Sequence, residues 1–199
     1  AYLSRTPSSA GNRRTYTIST WVKRSKFGGD QTIFGSAPST SVYAHLVFDA
    51  DDIKFDDYNG GTQAALRTSG VHRDPSAWYH IVLAVDTTQG TESNRLKLYV
   101  NGVEPTLDGK SCTQNHESQI NNTTAQSVGT LASAYVSGYY FGGYVAETHF
   151  IDGAAKAQTD FGEFNDNGVW IPKKYTGTYG TNGFYLQYKQ TGTSQNASG

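Results

Sequence analysis

The chain has 199 residues, a formal net charge of −1 and a single cysteine, Cys112. A near-neutral chain lacks the basic excess with which nucleic-acid-binding proteins displace counterions, and one cysteine cannot build a disulfide framework. No apolar run approaches the ~18 residues of a membrane helix, so we expect neither nucleic-acid binding nor membrane insertion. The 14 tyrosines and 22 glycines, with no methionine, favour strands joined by tight turns.

Alternation of apolar and polar residues predicts a series of short strands along the chain. In Thr15–Lys23 the side chains of Tyr16, Ile18 and Val22 share one face, and Trp21 lies on the other. Further strands are predicted at Gln31–Phe34, Ala44–Phe48, Asp52–Phe55, Trp78–Asp86, Arg95–Val100, Ser127–Leu131, Tyr139–Ile151 and Phe184–Tyr188. Many short strands separated by turn residues indicate a sandwich or a barrel.

Helical periodicity is weak, and at most one short helix is expected, with Ala154–Phe164 as its best candidate. No internal repeat or change of composition divides the chain, so residues 1–189 are predicted to form one domain. Residues 190–199 are polar and rich in Gly, Ser and Thr, which is typical of a tail or linker. Because Tyr2-Leu3 has the character of the end of an apolar strand, we expect the chain to be a piece of a longer polypeptide.

Three segments combine tryptophan, aliphatic residues and turn residues in a characteristic order. They are Tyr16–Lys23, then Trp78–Asp86 with Leu96–Gly102, and finally Gly143–Asp152. Together they resemble the laminin-G/pentraxin-like branch of the concanavalin A superfamily. The resemblance implies an all-β fold, a two-sheet antiparallel β-sandwich of the jelly-roll type.

A narrower resemblance lies towards the two ends of the chain. The segments Tyr2–Thr15, Phe150–Gly153, Asp160–Glu163 and Gly168–Tyr185 are similar to segments of virion and tail-fibre-like proteins of tailed bacteriophages. This resemblance implies a protein made in the host cytoplasm and located in the virion. Its expected partners are other virion proteins, further copies of itself in a trimer or larger homo-oligomer, and host cell-surface glycans.

The residues that could support catalysis lack the required arrangement. Glycoside hydrolases need two carboxylates about 5–5.5 Å apart for the retaining mechanism, yet Glu147 and Asp152 are five positions apart and fall on opposite faces of a regular strand. Cys112 and His116 could form a thiolate pair, but their segment is predicted to be an exposed loop. We therefore expect no catalytic residues and a protein that is not an enzyme.

Aromatic side chains near the C-terminal half are candidates for carbohydrate binding, because the apolar face of a sugar stacks on a ring. The selected rings are Tyr139, Tyr140, Trp170, Tyr175 and Tyr179. Strand alternation turns about half of such rings towards the core, so packing within the protein or between subunits is the competing interpretation for each of them.

Carboxylates are concentrated around Asp49, Asp51 and Asp52. Oxygen-rich loop rims bind Ca²⁺ in many lectin-like domains, since a hard cation prefers oxygen ligands. No cofactor is required by the sequence, and Ca²⁺ is the one candidate. The alternative is a solvated hairpin rim without a bound ion.

Three hypotheses for function remain open. The first is a non-catalytic bacteriophage virion module, in a tail fibre, spike or capsid surface, that attaches to the host surface by binding glycan. The second is a purely architectural protein that decorates or cements the capsid. The third is a glucanase-like glycoside hydrolase.

Overall fold

The computed structural model describes residues 1–131 and 138–189, and in these ranges fourteen strands form nearly all of the regular structure. The tail predicted at 190–199 lies outside the described residues. In chain order the strands are β1 (Leu3–Arg5), β2 (Thr15–Arg24), β3 (Gln31–Ser39), β4 (Val42–Asp49), β5 (Asp52–Asn59), β6 (Thr62–Thr68), β7 (Tyr79–Asp86), β8 (Leu96–Val100), β9 (Leu107–Cys112), β10 (Gln126–Val128), β11 (Gly143–Asp152), β12 (Gly162–Phe164), β13 (Trp170–Pro172) and β14 (Phe184–Leu186).

The strands build two main antiparallel sheets. The seven-stranded sheet has the order β1-β10-β3-β4-β5-β6-β9, and the five-stranded sheet has the order β14-β11-β2-β7-β8. A separate hairpin pairs β12 with β13. Alternate side chains of the two sheets meet in one core, where Ile18 and Phe150 of one sheet pack with Phe34 and Leu46 of the other. The predicted antiparallel β-sandwich is confirmed.

The predicted helix at Ala154–Phe164 is wrong in extent. Among the described residues this stretch contains only the 3₁₀ turn Gln158–Asp160, and a second such turn lies at Glu92–Asn94. Phe161 leaves the turn to be buried beside the five-stranded sheet, and the next residue, Gly162, begins β12. Residues 1–131 and 138–189 include no helix with the length and apolar character needed to cross a membrane.

Residues 153–183, which we call the covering segment, fold back over the outer face of the five-stranded sheet. Phe161 and Tyr175 of this segment are buried against Val82 of β7 and Ile151 of β11. The outer face of this sheet is therefore an internal surface, which explains why β7 carries apolar side chains in both directions.

A hydrogen-bond network around Asp152 ties the covering segment to the rest of the molecule. The Asp152 carboxylate accepts hydrogen bonds from the backbone N–H of Asn12 at 2.7 Å, the side-chain amide of Asn121 at 2.7 Å and the backbone N–H of Asn182 at 3.0 Å. The Asn182 amide also donates to the carbonyl of Ser9. Three segments distant in sequence thus meet at one buried carboxylate.

Candidate functional site

The outer face of the seven-stranded sheet retains partly exposed aromatic and charged side chains. Tyr43 and Tyr58 are half-buried there, and Lys54 and Arg67 keep 28% and 37% of their side-chain surface accessible. This contrasts with the other sheet, where the covering segment occupies the equivalent surface. The seven-stranded sheet is therefore the sheet surface on which a ligand could lie.

Strand register places these outward residues opposite one another. Along the β4–β5 ladder Tyr43 pairs with Tyr58 and His45 pairs with Asp56, followed by Val47 with Lys54 and Asp49 with Asp52. Side chains two positions apart on a strand point to the same side, so all of these residues project from one face.

Four rings form a continuous line across this face, which we call the aromatic row: Tyr58, Tyr43, His45 and Tyr139. The rings of Tyr58 and Tyr43 are nearly parallel, with centroids 5.5 Å apart. Tyr43 meets His45 edge to face at 5.3 Å, and His45 meets Tyr139 at 6.1 Å. The row combines apolar ring surface with hydroxyl groups, as a carbohydrate requires.

Small side chains continue from the middle of the aromatic row across the sheet. Gly35 pairs with His45 on one side, and beyond Asp56 come Ala65 and then Ser111. His45 and Asp56 themselves are buried at this level. The strip from His45 and Asp56 to Ala65 and Ser111 lies between the larger Tyr43 and Tyr58 on one side and Lys54 and Arg67 on the other, and we call it the trough. At its Gly35 end Leu131 fills the space above the sheet, since a Cβ on Gly35 would lie 2.8 Å from Cδ1 of Leu131.

Charged side chains beside the trough are paired with one another. Lys54 Nζ lies 3.2 Å from Asp56 and 3.9 Å from Asp49. Arg67 contacts Asp49 at 3.1 Å and binds Asp52 through two nitrogens at 2.8 and 2.9 Å. These ion pairs fix the positions of the side chains that border the trough.

Burial and charge set the protonation of the central groups. Burial lowers the pKa of His45 to about 4, against a smaller opposing effect of Asp56, so the imidazole is neutral at pH 7. Burial, followed by the charge of Asp56, raises the pKa of Tyr43 to about 12, so its hydroxyl keeps its proton. The Tyr43 hydroxyl lies 3.3 Å from the Asp56 carboxylate and donates to it.

The structure separates the five predicted sugar-binding rings into two groups. Tyr139 belongs to the aromatic row, and Tyr140 is 51% exposed at the sheet edge, where its ring lies 6.3 Å from that of Tyr2. Trp170 and Tyr175 are only 9% and 7% exposed. The expectation of accessible rings is wrong for these two, because the covering segment packs them against the five-stranded sheet.

Tyr179, the last of the five rings, is half-buried in the same segment. Its hydroxyl lies 3.0 Å from Nδ1 of His149, and its ring is parallel to that of His149 at 6.0 Å. It also packs edge to face on Tyr175. These contacts give Tyr179 a role in holding the covering segment in place.

The predicted calcium ligands do not converge. Asp51 is buried and binds Arg24 at 2.9 Å and Arg73 at 2.6 Å, whereas Asp49 and Asp52 share Arg67 on the outer face of the sheet. Arginine therefore engages the oxygens that a hard cation would need. In the part of the chain that the structure describes, no group of three or more His, Cys, Asp or Glu side chains could hold a metal ion.

The residues considered for catalysis are also apart. Strand β11 contains a bulge between Ala146 and His149, where Glu147 has a φ of 49° and its carboxylate accepts a hydrogen bond from the Tyr185 hydroxyl. Asp152, by contrast, is held in the amide network already described. These two carboxylates have different partners and do not form a catalytic pair.

Cys112 and His116 do not form a thiolate pair either. Cys112 is buried, and burial raises the pKa of its thiol to about 11, which suppresses the nucleophilic thiolate. The Nε2 atom of His116 lies 3.1 Å from Asp57, a fully buried carboxylate on the inner side of β5. The expected exposed loop is wrong for Cys112, which is the last residue of β9.

Three residues of the aromatic row were not predicted as site residues from the sequence: Tyr43, His45 and Tyr58. A signal for them existed, because Asp52–Asn59 alternates outward polar residues with the inward Ile53 and Phe55. The prediction of this strand relied on its inward apolar residues, and the outward residues were not considered as a binding surface. The proximity of Tyr139 to this ladder depends on tertiary structure and has no local signal.

Comparison with known proteins places the fold in a recognised group. A family model described as the concanavalin A-like lectin/glucanases superfamily matches residues 2–159. No curated protein sequence matches the chain significantly.

Several solved structures are similar at low sequence identity. The CBM40 domain of the Ruminococcus gnavus IT-sialidase bound to α2,3-sialyllactose is 15% identical, covering 71% of this chain and 86% of that one, with a TM-score of 0.51. The heptameric SAP-like pentraxin from Limulus polyphemus is 14% identical, covering 77% and 70%, with a TM-score of 0.53. The enzymatically active domain of tailspike protein 2 of bacteriophage CBA120 is 13% identical, with a TM-score of 0.50; the match covers 79% of this chain but 25% of that one. At these identities the likeness establishes the fold alone.

Proposed function

The chain belongs to the concanavalin A-like lectin/glucanase superfamily, and from this premise we propose that it is a non-catalytic module that binds glycan in the trough of its seven-stranded sheet. The observation that carries the proposal is the aromatic row beside His45 and Asp56. Parallel half-exposed rings offer apolar surface to the C–H groups of a sugar, while the polar groups of the trough exchange hydrogen bonds with its hydroxyls.

The line of four rings favours a chain of sugar units over a single monosaccharide. Neighbouring ring centroids lie 5.3–6.1 Å apart along the row. Tyr58, Tyr43 and Tyr139 are half-exposed and His45 is buried, so a saccharide that follows the row contacts the three tyrosines in succession. Each contact is weak by itself. An extended ligand therefore gains affinity from the whole row, and a short one contacts only part of it.

The biological setting that we propose is host attachment by a bacteriophage particle. The similarity of the fold to a tailspike domain supports it, together with the resemblance of the terminal segments to tail-fibre-like proteins. A heptameric pentraxin with the same fold is compatible with the proposed homo-oligomer. Several copies on one particle would multiply a weak glycan contact.

The test is a binding assay of the double variant Tyr43→Ala/Tyr58→Ala on printed glycans and on host cells. We expect a loss of affinity between about fivefold and about 150-fold, because two ring contacts of about 0.5–1.5 kcal/mol each disappear. Tyr144→Ala is the matched control, since Tyr144 is 64% exposed on β11 of the other sheet. Unchanged glycan binding by a folded double variant would remove the trough as the binding site.

A specific observation also favours the architectural alternative. Phe164 and Val169 are exposed on the β12–β13 hairpin, and Val103 is exposed next to Gly102, which contacts the ring of Trp170. An apolar patch of this kind suits a protein partner. Binding to purified capsids that survives in the double variant and is lost in Phe164→Ser would favour this second function.

A further inference from the structure

We propose that the trough selects neutral saccharides and discriminates against acidic ones such as sialylated or uronic-acid chains. This inference rests on the proposed glycan-binding function and adds the chemical class of the ligand. It separates this chain from the CBM40 domain of similar fold, whose structure contains sialyllactose. Three observations carry it: the net charge of the face, the engagement of its cations and the neutrality of its histidine.

The charged groups around the trough have an acidic excess. Asp49, Asp52 and Asp56 contact the cations of this face, and Asp30 interacts with Asp49 at its margin. Asp108 adds a fifth carboxylate, whose charge acts on Arg67. Among the described residues, the cations that contact these carboxylates on this face are Lys54 and Arg67, so negative charge is in excess. A carboxylate on a ligand lying in the trough would therefore be repelled.

Both cations are already engaged by carboxylates of the protein. Nε and Nη2 of Arg67 both form charge-assisted contacts with Asp52, and Nη1 donates a hydrogen bond to Asp49. Lys54 is held at 3.2 Å from Asp56. An incoming carboxylate would have to compete for these cations with carboxylates of the protein, which are fixed in place and need no ordering on binding.

The remaining polar groups suit hydroxyl ligands. His45 is buried among Tyr43, Tyr139 and Thr32, whose hydroxyl lies 3.3 Å from its Nδ1. A neutral imidazole offers one donor and one acceptor and adds no positive charge. Oδ2 of the Asp56 carboxylate already accepts a hydrogen bond from Tyr43 and lies 3.2 Å from Lys54. Its Oδ1 is the oxygen left to accept a hydrogen bond, and a hydroxyl of a neutral sugar is the matching donor.

The experiment compares matched glycans that differ in a carboxylate: galactan with polygalacturonate, and N-acetyllactosamine chains with their sialylated forms. For a pair of glycans that the protein binds, we expect the neutral member to bind on the order of tenfold more tightly than the acidic member at about 20 mM ionic strength. The difference should shrink towards unity at about 500 mM salt, because screening weakens the repulsion.

Variants assign the effect to the trough. Asp52→Asn removes one negative charge and releases Arg67, so the affinity for the acidic member relative to the neutral member should rise severalfold. Asp56→Asn provides a second variant on the other side of Lys54. Asp166→Asn, in the exposed turn of the β12–β13 hairpin, is the matched control and should leave this relative affinity unchanged.

The outcomes are distinguishable. Equal or tighter binding of the acidic members by the unaltered protein overturns the proposed selection and leaves glycan binding intact. Absence of binding to every glycan on the array, with a folded protein, overturns the proposed function and this inference with it. A preference for neutral members that is insensitive to salt and to both Asp variants would contradict the electrostatic origin.

Discussion

Trp170 occupies a slot between two glycines. A Cβ atom at Gly102 or at Gly162 would lie 2.4 Å from carbon atoms of the indole, which is far inside van der Waals contact. The indole N–H donates to Nδ1 of His80 at 2.9 Å. Because Nδ1 is the acceptor, the neutral imidazole carries its proton on Nε2 and donates it to the Ser19 hydroxyl at 2.9 Å.

Substitution of Gly162 tests this slot. Gly162→Ala should lower the free energy of unfolding by about 1–3 kcal/mol, because the added methyl group overpacks the indole. Gly162 lies in β12 without a positive φ, so alanine introduces no backbone strain. Gly70→Ala, where nothing lies within 4 Å of the new Cβ, serves as the control in urea unfolding. Equal stability of the two variants would contradict the tight slot.

At the scale of elements, Asp152 joins the end of β11 to the N-terminal segment and the covering segment. Asp152→Ala should cost at least about 3 kcal/mol of unfolding free energy, since hydrogen bonds to a charged group contribute about 1.5–3 kcal/mol each. Asp152→Asn should cost less, because it retains one acceptor oxygen. Urea unfolding monitored by tryptophan fluorescence gives both values, and a loss below about 1 kcal/mol for alanine would show that the network is dispensable.

The turn between β4 and β5 provides a second prediction at this scale. Since Arg24, Arg73 and Arg67 satisfy its three carboxylates, we expect EDTA to shift the melting temperature by less than about 1 °C. Addition of 2 mM CaCl₂ to the EDTA-treated and dialysed protein is the converse measurement. A rise of several degrees with calcium would mean that the ion displaces arginine from this turn.

Some elements could be predicted from the sequence and others could not, for physical reasons. Strand β2 was predicted to within one residue, because Tyr16, Ile18 and Val22 alternate with outward residues. Strand β9 was missed, since only Leu107 and Cys112 in it are apolar and its place at the sheet edge demands little hydrophobicity. Edge strands with few inward residues leave a weak periodic signal.

The site was less predictable than the fold. An aromatic ring in a Gly- and Thr-rich stretch, such as Tyr175, is accessible or buried depending on whether that stretch folds back on a sheet. One clue was present: Ile81–Val85 is apolar at every position, which indicates a strand covered on both faces. That clue shows that a sheet face is covered, but it does not identify the segment that covers it.

For the whole molecule, three buried histidines determine the response to acid. Burial lowers the pKa of His45 and His149 to about 4 and that of His80 to about 3, with His149 contributing to the shift of His80. In the unfolded chain each imidazole titrates near pH 6.5. Between about pH 6.5 and 4 the unfolded state therefore binds more protons, so stability falls as the pH falls through this window.

The expected dependence is steep enough to measure. Three protons taken up on unfolding give a slope approaching about 4 kcal/mol per pH unit near pH 5, and His45→Gln should reduce that slope by about one third. Urea unfolding at several pH values between 5 and 7 measures it. A free energy of unfolding that stays constant over this range would contradict the neutral state of these histidines.

The covering segment makes the two broad sides of the sandwich different. A bare sandwich can be approached from either broad side, whereas here the protein's own chain has already filled one of them. A partner or a solid support can attach to the covering segment, for instance near the exposed turn at residues 165–168, without obstructing the outer face of the seven-stranded sheet. Orientation on a support therefore decides whether the protein can capture anything, and tags or cross-links belong on the filled side.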